Sequence, residues 1–178
     1  LGFIGSTDNH NGTPGHVDSV DFRGHVGVVD ATPQGRLGDG TGTHDTLENN
    51  PGGLAAVWAE NNSRSSIFEA IRKRETYATS GPRITLRFFA GNDIPPELCT
   101  DEDRIQKVHD GAQPMGSVIP DASTFFIEAT ADHTPLSEVQ IIKGWIDAEG
   151  QTHQSVISIA GPSEFATVDS QTCEPKGD

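Results

Sequence analysis

The chain has 178 residues, enough for one domain with a good core or for two small ones, and its 33% hydrophobic content with 20 Gly and 11 Pro describes a loop-rich globular protein. Lys and Arg number 12 against 26 Asp and Glu, a formal charge of −14, so the surface field repels phosphate backbones and anionic headgroups and argues against nucleic acid and membrane surfaces as partners. No apolar run approaches the roughly 20 residues that cross a bilayer, which excludes a membrane span in this segment.

The first predicted element is a strand over Leu1 to Ile4, followed by Gly5-Ser6-Thr7-Asp8-Asn9-His10. A carboxylate and an imidazole two residues apart at a strand end can both bend toward one ion. A carboxylate oxygen with a neutral ring nitrogen suits Zn, Mn or Fe. The same Asp, Asn and Gly are also ordinary turn formers after a strand, so ligand pair and simple turn both stand at this point. The chain starts without Met inside what reads as a buried strand, which points to further chain upstream. A mononuclear catalytic site takes three protein ligands and a water, so Asp8 and His10 read as the last part of a site whose other ligands lie elsewhere.

From Asn11 to Asn50 the sequence is dominated by Gly, Asp, Thr, Asn and His around one apolar run, Val26 to Val29. A loop of that length is usually functional, and part of it is expected to cover a site. Pro51-Gly52-Gly53 then punctuates Leu54 to Ala59, which periodicity leaves open between strand and helix. Asn62 or Ser63 serves as N-cap for a helix through Arg74, with Ile67, Ala70 and Ile71 on one face and Arg72 to Arg74 complementing the negative end of the dipole.

After the turn Ser80-Gly81-Pro82 the pattern changes to alternation, and a second domain is expected to start there. Ile84, Leu86 and Phe88 alternate with Thr85, Arg87 and Phe89. Phe125, Ile127 and Ala129 alternate with Phe126, Glu128 and Thr130, and Val139 to Ile142 and Val156 to Ile159 supply further strands, with Gly144, Gly150 and Gly161 at expected turns. Asp93 to Pro114 reads as a long connection with one helical turn around Glu102 to Val108. Short strands with Gly and Pro turns suggest an antiparallel sandwich. Cys99 and Cys173 are compatible with one bridge, stabilising by roughly 4 kcal/mol, or with two buried thiols.

The landmarks Gly-Ser-Thr-Asp-Asn-His (5 to 10), His-Asn-Gly-Thr-Pro-Gly (10 to 15), Asn-Pro-Gly-Gly-Leu (50 to 54), Ala-Val-Trp-Ala-Glu (56 to 60), Arg-Glu-Thr-Tyr-Ala-Thr-Ser-Gly-Pro-Arg (74 to 83) and Val-Gln-Ile-Ile-Lys-Gly-Trp (139 to 145) follow one another in that order. Together they resemble a bacterial family of unknown function related to the PHP (polymerase and histidinol phosphatase) metal-dependent hydrolases. The resemblance covers essentially the whole chain and corresponds to the C-terminal part of a longer protein. It implies an α+β architecture: residues 1–82 as the tail of a distorted α/β barrel, and residues 83–178 as an antiparallel β-sandwich that is itself truncated. It also implies that Asp8 and His10 occupy the positions of the last metal motif, Ser-Asp-x-His, although Thr7 stands where that motif has Ser. The family's earlier His-x-His motif and further Glu and His ligands have no counterpart here. His16, His25, His44, His109, His133 and His153 match no family ligand motif and read as loop or surface residues.

The leading expectation is therefore a parent enzyme, a metal-dependent hydrolase that cleaves a phosphoester or related small-molecule ester with divalent Mn, Zn or Fe. The fragment alone is expected to be inactive without the N-terminal part of its parent. The alternative is a non-catalytic sandwich over residues 83–178 that binds a partner or carbohydrate, for which Trp58, Tyr77 and Trp145 are the only large amphipathic candidates. The acidic composition fits a cytoplasmic or periplasmic location, and the resemblance leans toward a periplasmic or secreted one.

Overall fold

The computed structural model describes residues 1–7, 14–20, 52–161, 167–168, 171–172 and 175–176. Asp8, His10, His25, His44, Cys173 and the apolar run Val26 to Val29 lie outside the described residues. Two units follow one another along the chain, Leu1–His133 and Thr134–Asp178. The boundary expected after Pro82 falls inside the first unit, at the turn between its second and third strands. Helices and antiparallel sheets occur together, so the fold class is α+β.

In the first unit, the segment that periodicity left undecided is a strand, β1 (Gly53–Val57), paired antiparallel with β2 (Thr76–Ser80). Helix α1 (Arg64–Lys73) connects them. Ser63 is its N-cap, its hydroxyl accepting from the Ser66 N–H at 3.3 Å, and Arg74 closes it in the left-handed region at φ 64° with its N–H directed at the Ala70 and Ile71 carbonyls. Of the expected apolar face only Ala70 is buried; Ile71 and Phe68 are exposed. Arg72 pairs with Glu69 one turn back at 2.7 Å, and this bond holds the Glu69 carboxyl below its ordinary value.

The remainder of the first unit carries the core. Strands β3 (Thr85–Gly91), β4 (Gln113–Pro114) and β5 (Thr124–Thr130) form a sheet in the order β4-β3-β5. Register places Arg87 opposite Glu128 and Phe89 opposite Phe126 on one face, Phe88 opposite Ile127 and Ala90 opposite Phe125 on the other. Both faces carry aromatics, but the Phe89/Phe126 face is the buried one. The connection Asp93 to Pro114 covers it: a 3-10 turn (Pro96–Thr100) and helix α2 (Arg104–Gly111), longer than the single turn expected, place Leu98, Val108 and Ala112 against the two rings. Leu98, Val108 and each of the two Phe rings contribute about 1.5–3 kcal/mol by burial, and the Ala112 methyl less. Cys99 sits on the 3-10 turn as an exposed free thiol rather than a buried one.

The opening segment departs from expectation. Residues Leu1 to Ile4 form no strand among the described residues, and Leu1, Phe3 and Ile4 are exposed. The segment lies beside β2 through a bond from the Thr76 hydroxyl to the Phe3 carbonyl at 2.7 Å, instead of a ladder of backbone bonds. An apolar run is buried only where another layer covers it, and none of the described elements covers these side chains.

In the second unit β6 (Val139–Ile146) and β7 (Thr152–Ala160) form an antiparallel hairpin with a bulge between Val139 and Gln140, and β8 (Thr167–Val168) pairs with β9 (Pro175–Lys176). Both hairpin strands are longer than the alternation indicated. Gly144 is not a turn residue: it pairs with Gln154 inside the ladder. The turn falls at Asp147 to Gly150, where Gly150 adopts φ 81° and the Asp147 carboxylate accepts from the Glu149 and Gln151 N–H groups at 3.1 and 2.8 Å.

The other oxygen of Asp147 lies 2.6 Å from Nε2 of His153, whose ring stacks on Trp145 at 5.3 Å. The bond from His153, then those from the backbone, hold the Asp147 carboxyl below its ordinary value. A carboxylate with a depressed folded-state pKa stabilises the turn at every pH above its ordinary value, and that stabilisation is lost as the pH falls through the depressed one. The Glu149 and Gln151 amide signals are therefore expected to titrate together with a midpoint below the ordinary Asp value. A midpoint at or above that value in an NMR titration contradicts the assignment.

Candidate functional site

The segment that leads to Asp8 and His10 is held by two close backbone approaches. A Cβ at Gly5 would sit 2.6 Å from the Leu54 carbonyl oxygen, and one at Gly53 would sit 2.3 Å from that of Ser6. Only glycine permits either contact. Thr7 is buried at 5% exposure, so the residue directly before Asp8 in sequence belongs to the anchored part of the unit. Asp8 and His10 themselves lie outside the described residues, as do His25 and His44.

The remaining histidines are dispersed. His133 stands 3.2 Å from the Asp132 carboxylate, which also accepts from the Arg83 N–H at 2.8 Å; the Arg83 bond, and after it His133, hold the Asp132 carboxyl below its ordinary value. His153 belongs to the hairpin turn, and His109 packs edge-on against Phe89 at 4.7 Å. His16 precedes buried Val17, whose carbonyl accepts from the Arg83 guanidinium at 2.8 Å. Among the described residues no group of three or more His, Cys, Asp or Glu side chains is placed to hold a metal ion.

Among the described residues a cleft of about 760 Å3 opens at the far end of β1. Its floor is Trp58, the residue after β1, whose indole N–H donates to the Leu86 carbonyl at 2.9 Å and whose ring lies 6.3 Å from that of Tyr77. The Arg87 guanidinium carbon lies over the Trp58 ring, 3.5 Å from its centroid. Glu128, opposite Arg87 on β5, spends one carboxylate oxygen on Arg104, at 3.0 Å to Nε and 2.5 Å to Nη2. Its other oxygen stands 3.8 Å from Arg87 Nε. Burial pushes the Arg87 guanidinium below its ordinary value while Glu128 opposes the change.

Helix α1 supplies the cleft's other wall with Ser66, Glu69 and Lys73, and Glu60, Asn61, Glu75 and His109 add further polar lining. The sequence reading missed Arg87, Glu128 and Arg104 as a group. The signal present was an Arg in one alternating strand and a Glu in another, each on the same parity as a Phe that turns out to be buried. Trp58, named from sequence as an amphipathic candidate, has its N–H bonded and one ring face covered by Arg87.

No curated protein and no solved structure matches the chain. Its resemblance to a family of unknown function, by contrast, is upheld over its whole length: residues 1–178 match DUF3604, described as a protein of unknown function, and the chain belongs to that family.

Proposed function

We propose that the chain is part of a metal-dependent hydrolase acting on phosphoester or related ester bonds, in a family related to the PHP hydrolases. What supports this reading is the Asp8-x-His10 pair, which in sequence follows directly on a segment pinned to β1 by the Gly5 and Gly53 contacts. In this reading the β1–β2 ribbon with its anchored segment is the tail of a distorted barrel, and the antiparallel strands from β3 onward belong to a sandwich.

The donor set fits a divalent Mn, Zn or Fe ion in kind, one carboxylate oxygen and one neutral imidazole nitrogen. In number it is incomplete, and the remaining ligands come from the N-terminal part of a longer parent chain. Such an ion, when bound, supplies an activated water and charge stabilisation for the ester cleavage. Asp8 brings negative charge to the site. His10 ligates through one ring nitrogen, and a carboxylate or carbonyl on the other fixes its tautomer. The fragment alone is inactive, and the parent works in the periplasm or outside the cell.

A second reading rests on one observation in the second unit: Trp145, Ile146 and Ile142 are exposed on the hairpin, as a partner-binding or carbohydrate-binding module without activity requires. One screen separates the two. Phosphoester and carboxylester substrates are offered to the parent protein loaded with Mn, Zn or Fe, and turnover of at least one is expected. Turnover of none, with saturable carbohydrate binding to the protein, favours the second reading.

A further inference from the structure

The Arg87 guanidinium is half-buried and short of partners among the described residues. Its side chain is 22% exposed, it lies on the Trp58 ring, and no described residue hydrogen-bonds to it; its single ion partner is the 3.8 Å contact with a carboxylate already committed to Arg104. A half-buried guanidinium whose N–H groups no described residue takes up has donors to offer a ligand in the cleft it lines. A guanidinium is a planar fork that recognises carboxylate and phosphate in two-pronged fashion, and this one sits over the Trp58 ring and lines the cleft.

The surroundings narrow the ligand further. Lys73 and His109 line the same cleft and can add positive charge or donors, while Glu60 and Glu75 line it as acceptors. A bare anion leaves those carboxylates unanswered, and the overall charge of −14 repels it. A molecule that pairs one oxyanion with several hydroxyl groups answers both: the oxyanion meets Arg87 and Lys73, the hydroxyls donate to Glu60 and Glu75. We propose that the Trp58–Arg87 cleft is a binding site for a small polyhydroxylated oxyanion, a sugar acid or a sugar phosphate, with Arg87 as its anchor.

This site is separate from the segment that leads to Asp8. Ser6 lies against Gly53 at one end of β1, whereas Trp58 stands five residues on, about 17 Å along the strand. The proposal thus stands or falls independently of the hydrolase reading.

The test uses the full chain carrying Trp145→Phe, which leaves Trp58 as the sole tryptophan, in the presence of a chelator so that no metal chemistry contributes. Glycerol 3-phosphate, gluconate and plain glycerol are titrated in turn while tryptophan emission is followed. A saturable change with glycerol 3-phosphate identifies the phosphate class, one with gluconate the carboxylate class, and glycerol is expected to give none. Arg87→Gln is expected to weaken that binding about tenfold or more, the loss of a charge-assisted contact, and Lys73→Gln by a smaller factor. Arg87→Lys, which keeps the charge but not the fork, is expected to weaken it as well, so a folding failure of R87Q leaves the test intact. Saturation by neither oxyanion, an equal response to glycerol, or unchanged affinity in every Arg87 variant that folds overturns the proposal.

Discussion

Replacing Asp8 with Asn, or His10 with Ala, in the parent protein is expected to lower both metal content and ester turnover by orders of magnitude. Loss of a group that merely orients a ligand already costs about 10- to 100-fold, and these substitutions remove the ligands themselves. The parent is also expected to respond to Gly53→Ala, which touches no ligand. A methyl group at that position meets the Ser6 carbonyl oxygen at 2.3 Å, so the anchored segment must move and carry the pair with it. The expected signature is weakened metal affinity with the fold retained. Near-normal metal content and turnover in both ligand variants remove Asp8 and His10 from the site.

The second large effect concerns the core of the first unit. Phe126→Ala is expected to destabilise that unit by about 3–5 kcal/mol, the loss of transfer free energy plus the cavity left among Phe89, Leu98 and Val108. Phe126 is 4% exposed, and a helix packed on it leaves little room to collapse. Its sequence neighbour is the control. Phe125 points to the other face, is 47% exposed and stacks on Phe88 at 5.6 Å, so Phe125→Ala is expected to cost about 1 kcal/mol. Denaturation midpoints of the two variants measure the difference, and equal losses contradict the assignment of the buried face.

Local chemistry made part of this fold legible. The Ser63 cap and the basic last turn marked α1 because a helix end must satisfy its own backbone groups wherever it packs. Alternation marked β3 and β5, but it left unstated which parity is buried, since Phe88 and Phe89 are equally apolar and only the position of α2 decides. The run Leu1 to Ile4 misled for a related reason: its side chains signal burial, and burial depends on a covering layer that the sequence does not specify. The cleft was beyond reach because it joins Trp58 to Arg87 and Arg87 to Glu128 across long stretches of chain, through a register that only the paired strands define. The Asp8-x-His10 pair was legible as donor chemistry alone, and its geometry lies outside the described residues.

Metal analysis of the parent protein beside the present chain, both dialysed against buffer containing Mn or Zn, tests the central claim most directly. Two ligands fall short of the three that a catalytic zinc takes, and ordering a loop around an ion with two contacts costs conformational entropy. The expected result is at least one equivalent of metal retained by the parent and none by the 178-residue chain. A parent that retains no metal, or a chain that alone holds one equivalent with His10 coordinated, contradicts it.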